Sequence, residues 1–199
     1  TMANQVQTLK GFRDIMPEEM VIRQRVINIL RRTFESFGFQ PIATPTLEYA
    51  EVLLNKYGQE ADKLVYTFKD LGDRQVGLRY DLTVPVARYL TSNQNEITYP
   101  FKRYQIQNVF RADKPQRGRF REFTQCDIDT FGISTPLADA EITLVIYTAL
   151  KNLGFEKFTI RINDRQLLTA MLNQAGVDNK DKRSSILQSI DKLDKKAKP

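Results

Sequence analysis

Between Arg119 and Phe131 polar and apolar side chains alternate in a pattern that could carry chemistry. In an extended strand, successive side chains point to opposite faces. One face would present Arg119, Arg121, Phe123, Gln125, Asp127 and Asp129. The other would present Phe120, Glu122, Thr124, Cys126, Ile128 and Thr130, which include the ordinary core candidates. Arg111 closes the preceding strand and can project toward the first face. Guanidinium groups bind phosphate oxygens bidentately and do not titrate near neutrality. An aromatic ring offers a flat surface to a purine, and an amide and a carboxylate can hold an ammonium or N–H groups. Together these groups suit a nucleoside triphosphate lying beside a small zwitterion. A solvent-facing strand with cross-strand ion pairs would show the same pattern. The sequence has neither a P-loop motif nor GxGxxG, so a nucleotide would be held by arginines on a sheet.

Composition removes other chemistries. The 199 residues contain no histidine, which excludes a Ser-His-Asp triad and the usual histidine-based zinc motifs. The single cysteine, Cys126, has no histidine to activate it and is expected to be a small core residue. The formal charge of +6 suits a polyanionic partner, although much of the excess lies between Lys180 and Lys198, where a solvated helix face would look the same. No apolar run approaches the roughly 20 residues of a membrane span, and no charged-then-apolar leader is evident. The expected compartment is the cytoplasm, with no membrane partner.

The elements that must position the arginines follow from periodicity. Pro17-Glu18-Glu19 opens a helix whose apolar positions Val21, Ile22, Val26, Ile29, Leu30 and Phe34 recur at helical spacing, ending at Gly38. Phe39 to Ala43 reads as a short strand. Leu64 to Phe68 and Val76 to Tyr80 read as strands around the turn Asp70 to Asp73, and Asp81 to Leu90 as a helix. Two long strands, Phe101 to Arg111 and Arg119 to Phe131, are joined by the loop Ala112 to Gly118. A helix opens at Pro136 and stops at Gly154, a strand is expected over Phe158 to Ile162, and the pattern from Asp164 onward is helical and charged. Strands hairpin in the middle while helices gather at the ends. That order predicts an α+β fold with a largely antiparallel sheet.

The run Phe110 to Phe123, FRADKPQRGRFREF, resembles motif 2 of class II aminoacyl-tRNA synthetases, and its continuation TQCDID resembles the histidyl branch of that family. Upstream, FGFQPIATP (Phe37 to Pro45) resembles motif 1, the dimer-interface helix and strand. GFRD (Gly11 to Asp14) is similar to the opening of the histidyl enzymes, and LRYDLTVP (Leu78 to Pro85) to their segment for the substrate amino group. The resemblance runs from about Gly11 to Leu168. It implies an antiparallel sheet flanked by helices, incomplete here, with residues 1–163 forming part of a catalytic core and residues 164–199 beginning a helical inserted region. Motif 3 and an anticodon-binding domain are not found in these residues.

The resemblance also implies roles. Arg111 would hold the α-phosphate and stabilise charge as histidine attacks ATP. Arg121 would bind the far phosphates, Phe123 would stack on adenine, and Asp113 would face its amino group. Asp81, Thr83 and Gln125 would hold the α-ammonium of L-histidine, with Asp129 near the imidazole. Lys114, Arg117 and Arg119 would approach the acceptor end of tRNA(His). Mg²⁺ would accompany ATP, no protein metal ligand is identified, and a homodimer is expected. The implied reaction makes histidyl-adenylate and then charges tRNA; a chain ending here is expected not to complete it. Two other readings remain. One is the synthetase-like regulatory subunit of ATP phosphoribosyltransferase, in which the ATP-binding arginines should be eroded. The other is a nonenzymatic nucleic-acid-binding module, which should avoid Asp81, Asp113 and Asp129 around its groove.

Overall fold

The computed structural model describes residues 6–54, 64–177 and 179–196. The first helix, α1 (Pro17–Ser36), begins with proline and two glutamates, where free N–H groups and the helix dipole favour them. It stops because Gly38 takes a φ of 78°, which lets Phe39 N–H return to the Phe34 carbonyl at 3.1 Å. The chain then enters β1 (Gln40–Pro41), shorter than its sequence suggests.

Two three-stranded sheets form. In one, β1 pairs in parallel with β5 (Phe101–Phe110), which pairs antiparallel with β6 (Glu122–Phe131). In the other, β4 (Gln75–Leu78) lies between β2 (Leu47–Tyr49) and β3 (Thr67–Lys69), all antiparallel. The expected α+β class with a mainly antiparallel sheet is the observed one. The short β2 and the helix α2 (Ala50–Leu54) were not anticipated. Pieces of three and five residues are too brief to show a period.

Each sheet has its own apolar layer. Phe34, Phe39, Tyr104 and Val145 form the buried cluster under the β5–β6 sheet, joined by Leu30, Ile106, Ile128 and Ile142. It is covered by α1 and α4 (Pro136–Asn152). Leu53, Val65, Tyr80 and Val84 form the second cluster, which includes α3 (Thr83–Ser92). The sheets are stitched by backbone bonds from Phe110 N–H to the Arg79 carbonyl at 2.9 Å and from Ala112 N–H to the Leu64 carbonyl at 2.8 Å.

Cys126 is not the core residue its size suggests. It is exposed on the wall of a groove that it shares with Leu30, Phe34, Ile128 and Ile142, among others. Partial desolvation of the sulfur on that wall pushes its thiol up to about 11, with the Asp127 carboxylate adding to the effect.

The chain divides into two compact units, Thr1–Lys157 and Phe158–Pro199. The second contains α5 (Arg165–Gln174) and α6 (Lys180–Lys196). Asp164 caps α5 by accepting from Gln166 N–H at 2.6 Å and Leu167 N–H at 3.1 Å. Asn179 does the same for α6. The strand expected over 158–162 does not form. Among the described residues no strand pairs with it, and an unpaired strand leaves its backbone groups without a ladder. The end of the basic tail, 197–199, lies outside the described residues. Among the described residues, no helix is long and apolar enough to cross a membrane.

Candidate active site

The β5–β6 register decides which side chains meet. Arg103 lies opposite Asp129, Gln105 opposite Asp127, Gln107 opposite Gln125 and Val109 opposite Phe123. Directly opposed residues in an antiparallel pair share a face. The face inferred from the second strand therefore extends across the first, away from α1 and α4.

At the end nearer the connecting loop the ladder changes partner. Arg111 N–H still donates to the Arg121 carbonyl at 2.8 Å, but Arg121 N–H turns to the Gly11 carbonyl at 2.8 Å. The second strand accordingly begins at Glu122, not Arg119. Arg119 belongs to the loop: Gln116 and Arg119 bond to each other through their backbones at 3.2 and 2.9 Å. Gly118 sits at the tip with a φ of 74°, a left-handed conformation that suits glycine. Lys114, Arg117 and Arg119 are all exposed, and Arg119 forms an ion pair with Asp113.

Arg111 and Arg121 are fixed by main-chain oxygens. Arg111 Nε donates to the Tyr80 carbonyl at 3.0 Å, and its guanidinium lies 5.0 Å from the centre of the Phe123 ring. Arg121 Nε donates to the Asp113 carbonyl and Nη1 to the Lys10 carbonyl, both at 3.1 Å. Gly11 makes that second contact feasible. A Cβ there would meet the Arg121 side chain at 2.8 Å, and the φ of 92° is one that side chains resist. Arg13 adds a guanidinium 4.2 Å over the Phe120 ring, stacking the N-terminal segment on the loop.

Further along, Gln125 Nε2 donates to Asp127 at 2.9 Å, while its Oε1 is buried with no hydrogen-bond partner. Such an acceptor is ready for a donor supplied from outside. Burial raises the Asp127 carboxyl above its usual range, against the bond from Gln125 and the charge of Arg103, which lower it. Asp129 makes an ion pair with Arg103. Asp81 stands at the edge of the second sheet, two residues before α3, where its Oδ1 accepts from Val84 N–H in the first turn at 3.1 Å; the first residue of α3 is Thr83. The structure thus brings Arg111, Phe123 and Arg121 together, and it ties Asp113 to both Arg119 and Arg121. Gln125, Asp127 and Asp129 follow in a row along β6.

The family comparison agrees with this geometry. The family model described as histidyl-tRNA synthetase matches residues 11–197. The chain belongs to the histidyl-tRNA synthetase family. A curated histidine–tRNA ligase from Rhodopirellula baltica is 48% identical over 191 residues, covering 96% of this chain and 43% of that protein. The crystal structure of a Nostoc histidyl-tRNA synthetase superposes with a TM-score of 0.83 at 35% identity, covering 96% of this chain and 44% of that one. A Bacillus halodurans structure titled as an ATP phosphoribosyltransferase regulatory subunit/histidyl-tRNA synthetase gives a TM-score of 0.78 at 26% identity, over 92% of this chain and 47% of its own. The chain therefore spans less than half the length of these relatives. Its fold is that of a class II synthetase catalytic domain, in part.

Sequence reasoning missed the first strand's share of this face and the arginine packed against it. Arg79, Arg103 and Gln105 are almost completely buried. Arg79 donates to the Thr44 carbonyl at 2.6 Å, the Asn108 carbonyl at 2.8 Å and Gln107 Oε1 at 3.2 Å. Gln105 Nε2 donates to Thr44 Oγ1 at 2.8 Å and to Gln107 Oε1 at 2.5 Å. Arg103, Gln105 and Gln107 alternate along the first strand just as the recognised residues alternate along the second. Reading the parity of both strands would have found them.

Proposed function

We propose that the polypeptide is a histidine–tRNA ligase and that this chain carries much of its ATP- and histidine-facing surface. One observation carries the reading. Two guanidinium groups, Arg111 and Arg121, are fixed by carbonyl oxygens at one end of a face whose other end offers Gln125 Oε1, Asp127 and Asp129. Carbonyls orient a guanidinium without neutralising it, so both positive charges remain for a polyphosphate.

In the first step a carboxylate oxygen of histidine attacks the α-phosphorus of ATP, and the bond to pyrophosphate breaks. Arg111 faces the charge that builds on the α-phosphate, Arg121 the departing phosphates, and Phe123 the adenine. Gln125 and Asp81 accept from the ammonium, with Thr83 beside them, and Asp129 accepts from an imidazole N–H. In the second step a ribose hydroxyl at the end of tRNA(His) attacks the histidyl carbonyl and AMP leaves. Lys114, Arg117 and Arg119 approach that tRNA end. The chemistry rests on positioning and charge stabilisation. Mg²⁺ belongs with ATP in such a reaction; among the described residues no group of three or more His, Cys, Asp or Glu could hold an ion, so no step is assigned to it. Exposed Met20, Val21, Ile22 and Val26 on α1 support a homodimer formed through that helix. The cytoplasm is the compartment in which we place this activity.

ATP–pyrophosphate exchange tests the proposal. The full-length polypeptide should exchange with histidine and with no other amino acid, and the isolated 199-residue chain should not charge tRNA. Histidine binding by the full-length polypeptide without exchange would replace this reading with that of the regulatory subunit.

A further inference from the structure

Arg103 is out of place for an ordinary strand residue. Its side chain is 0% exposed, yet its Nε has no hydrogen-bond partner and lies out of solvent. Nη1 reaches Gln105 Oε1 at 3.4 Å, and Nη2 forms an ion pair with Asp129, the residue directly opposite. The Asp129 side chain keeps 39% of its exposure. The guanidinium is sealed within the sheet while its carboxylate partner reaches out of it. Gln105 is itself held by Thr44 and Gln107, and Gln107 by Arg79. A row of buried and half-buried polar side chains therefore runs from the junction of the two sheets to one partly exposed carboxylate.

Fold stability explains this row poorly. A buried ion pair seldom adds stability over well-packed apolar side chains of similar volume, because desolvation offsets the attraction. Burial opposes the charge on Arg103, and Asp129 followed by Asp127 supports it. What the arrangement does supply is direction. A buried guanidinium held through Nη1 by Gln105 presents its Nη2 to the carboxylate from one fixed place, and so restricts an aspartate that would otherwise turn freely about its side-chain bonds.

We propose that Arg103 is a positioning residue for amino-acid recognition, holding Asp129 at the angle from which it accepts an N–H of the substrate's ring. The proposal rests on the reading of Asp129 as the residue facing the imidazole. Arg103 touches neither substrate nor nucleotide. It acts through Asp129, so it should alter histidine affinity and leave ATP affinity alone.

The test is exchange kinetics of the full-length polypeptide with histidine and ATP varied separately, in Arg103→Met, Arg103→Lys, Asp129→Asn and the Arg103→Met/Asp129→Asn double variant. Arg103→Met should raise the histidine KM by about tenfold or more and the ATP KM by less than about twofold, in protein that circular dichroism shows to be folded at the assay temperature. Arg103→Lys retains charge without a second nitrogen for Gln105 and should fall between the wild type and Arg103→Met; should the methionine variant fail to fold, the lysine variant alone decides. The double variant should be no worse for histidine than Asp129→Asn. A histidine KM unchanged in Arg103→Met, or the two KM values rising together, would overturn the proposal. An unchanged histidine KM in Asp129→Asn would instead remove the reading of Asp129 itself, a result the other variants cannot mimic.

Discussion

The two ends of the β5–β6 face hold their arginines differently. At the end nearer the loop, Arg111 and Arg121 donate to the carbonyls of Tyr80, Asp113 and Lys10. At the other end, Arg103 meets a carboxylate. Carbonyls are neutral, so the first end keeps two full positive charges. The second sets one guanidinium against Asp127 and Asp129 and leans negative. A single ladder thus offers a cationic end to an anion and an anionic end to ammonium or imidazole N–H groups. Which atoms hold an arginine, rather than how many arginines there are, separates a phosphate site from a support.

Removing a guanidinium from the cationic end should break this contrast most severely. Arg111→Ala takes away a preorganised charge where the transition state becomes more negative. Losses of about a hundredfold to a thousandfold are typical for such groups. The exchange rate at saturating ATP and histidine should fall by that much. Circular dichroism should stay native, because Arg111 is only partly buried. A loss below about threefold would show that Arg111 does not face the reacting phosphate.

A smaller loss should follow from disturbing the backbone that holds Arg121. Gly11 and Gly154 both have a φ of 92°, but a Cβ at Gly11 meets Arg121 at 2.8 Å, whereas at Gly154 it meets nothing within 4 Å. Alanine at either position should cost roughly 1–2 kcal/mol of stability from backbone strain alone. Only Gly11→Ala should displace Arg121, and the ATP KM should then rise by about tenfold, the scale of one lost charge-assisted bond. Equal ATP KM values in the two variants would mean that the Lys10 carbonyl is irrelevant to nucleotide binding.

These residues also mark how far the sequence could be read. The parity of the second strand was legible because a two-residue period is a local property. So were α1 and α4, with their opening prolines and long apolar stripes. Parity could also have placed Arg103 on the β5–β6 face, but could not have shown its pairing with Asp129, which comes from the register. Register is set by the turn and the packing, not by either strand alone. The start of the second strand was misjudged for a similar reason. Arg121 N–H finds the Gly11 carbonyl, a partner more than a hundred residues away in sequence that no local pattern reveals. The expected strand at 158–162 fails in the opposite sense: its local pattern is adequate, but it lacks a neighbour within the described residues.

The smallest expected effect lies beyond the cationic end, in the loop. Arg117 is exposed beside Gly118, at a turn closed by the mutual bonds of Gln116 and Arg119. Arg119 is partly neutralised by Asp113, but Arg117 has no ion pair among the described residues. If it meets a tRNA phosphate, Arg117→Ala should weaken tRNA binding by a few fold near physiological salt and lower the slope of log affinity against log salt by about 1. Exchange, which needs no tRNA, should be unchanged. That split sharpens the comparison, because Arg111 and Arg117 stand close in sequence yet should fail in different assays. A parallel fall in exchange would place Arg117 on ATP and extend the cationic end into the loop. An unchanged salt slope with intact exchange would confine it to Arg111 and Arg121.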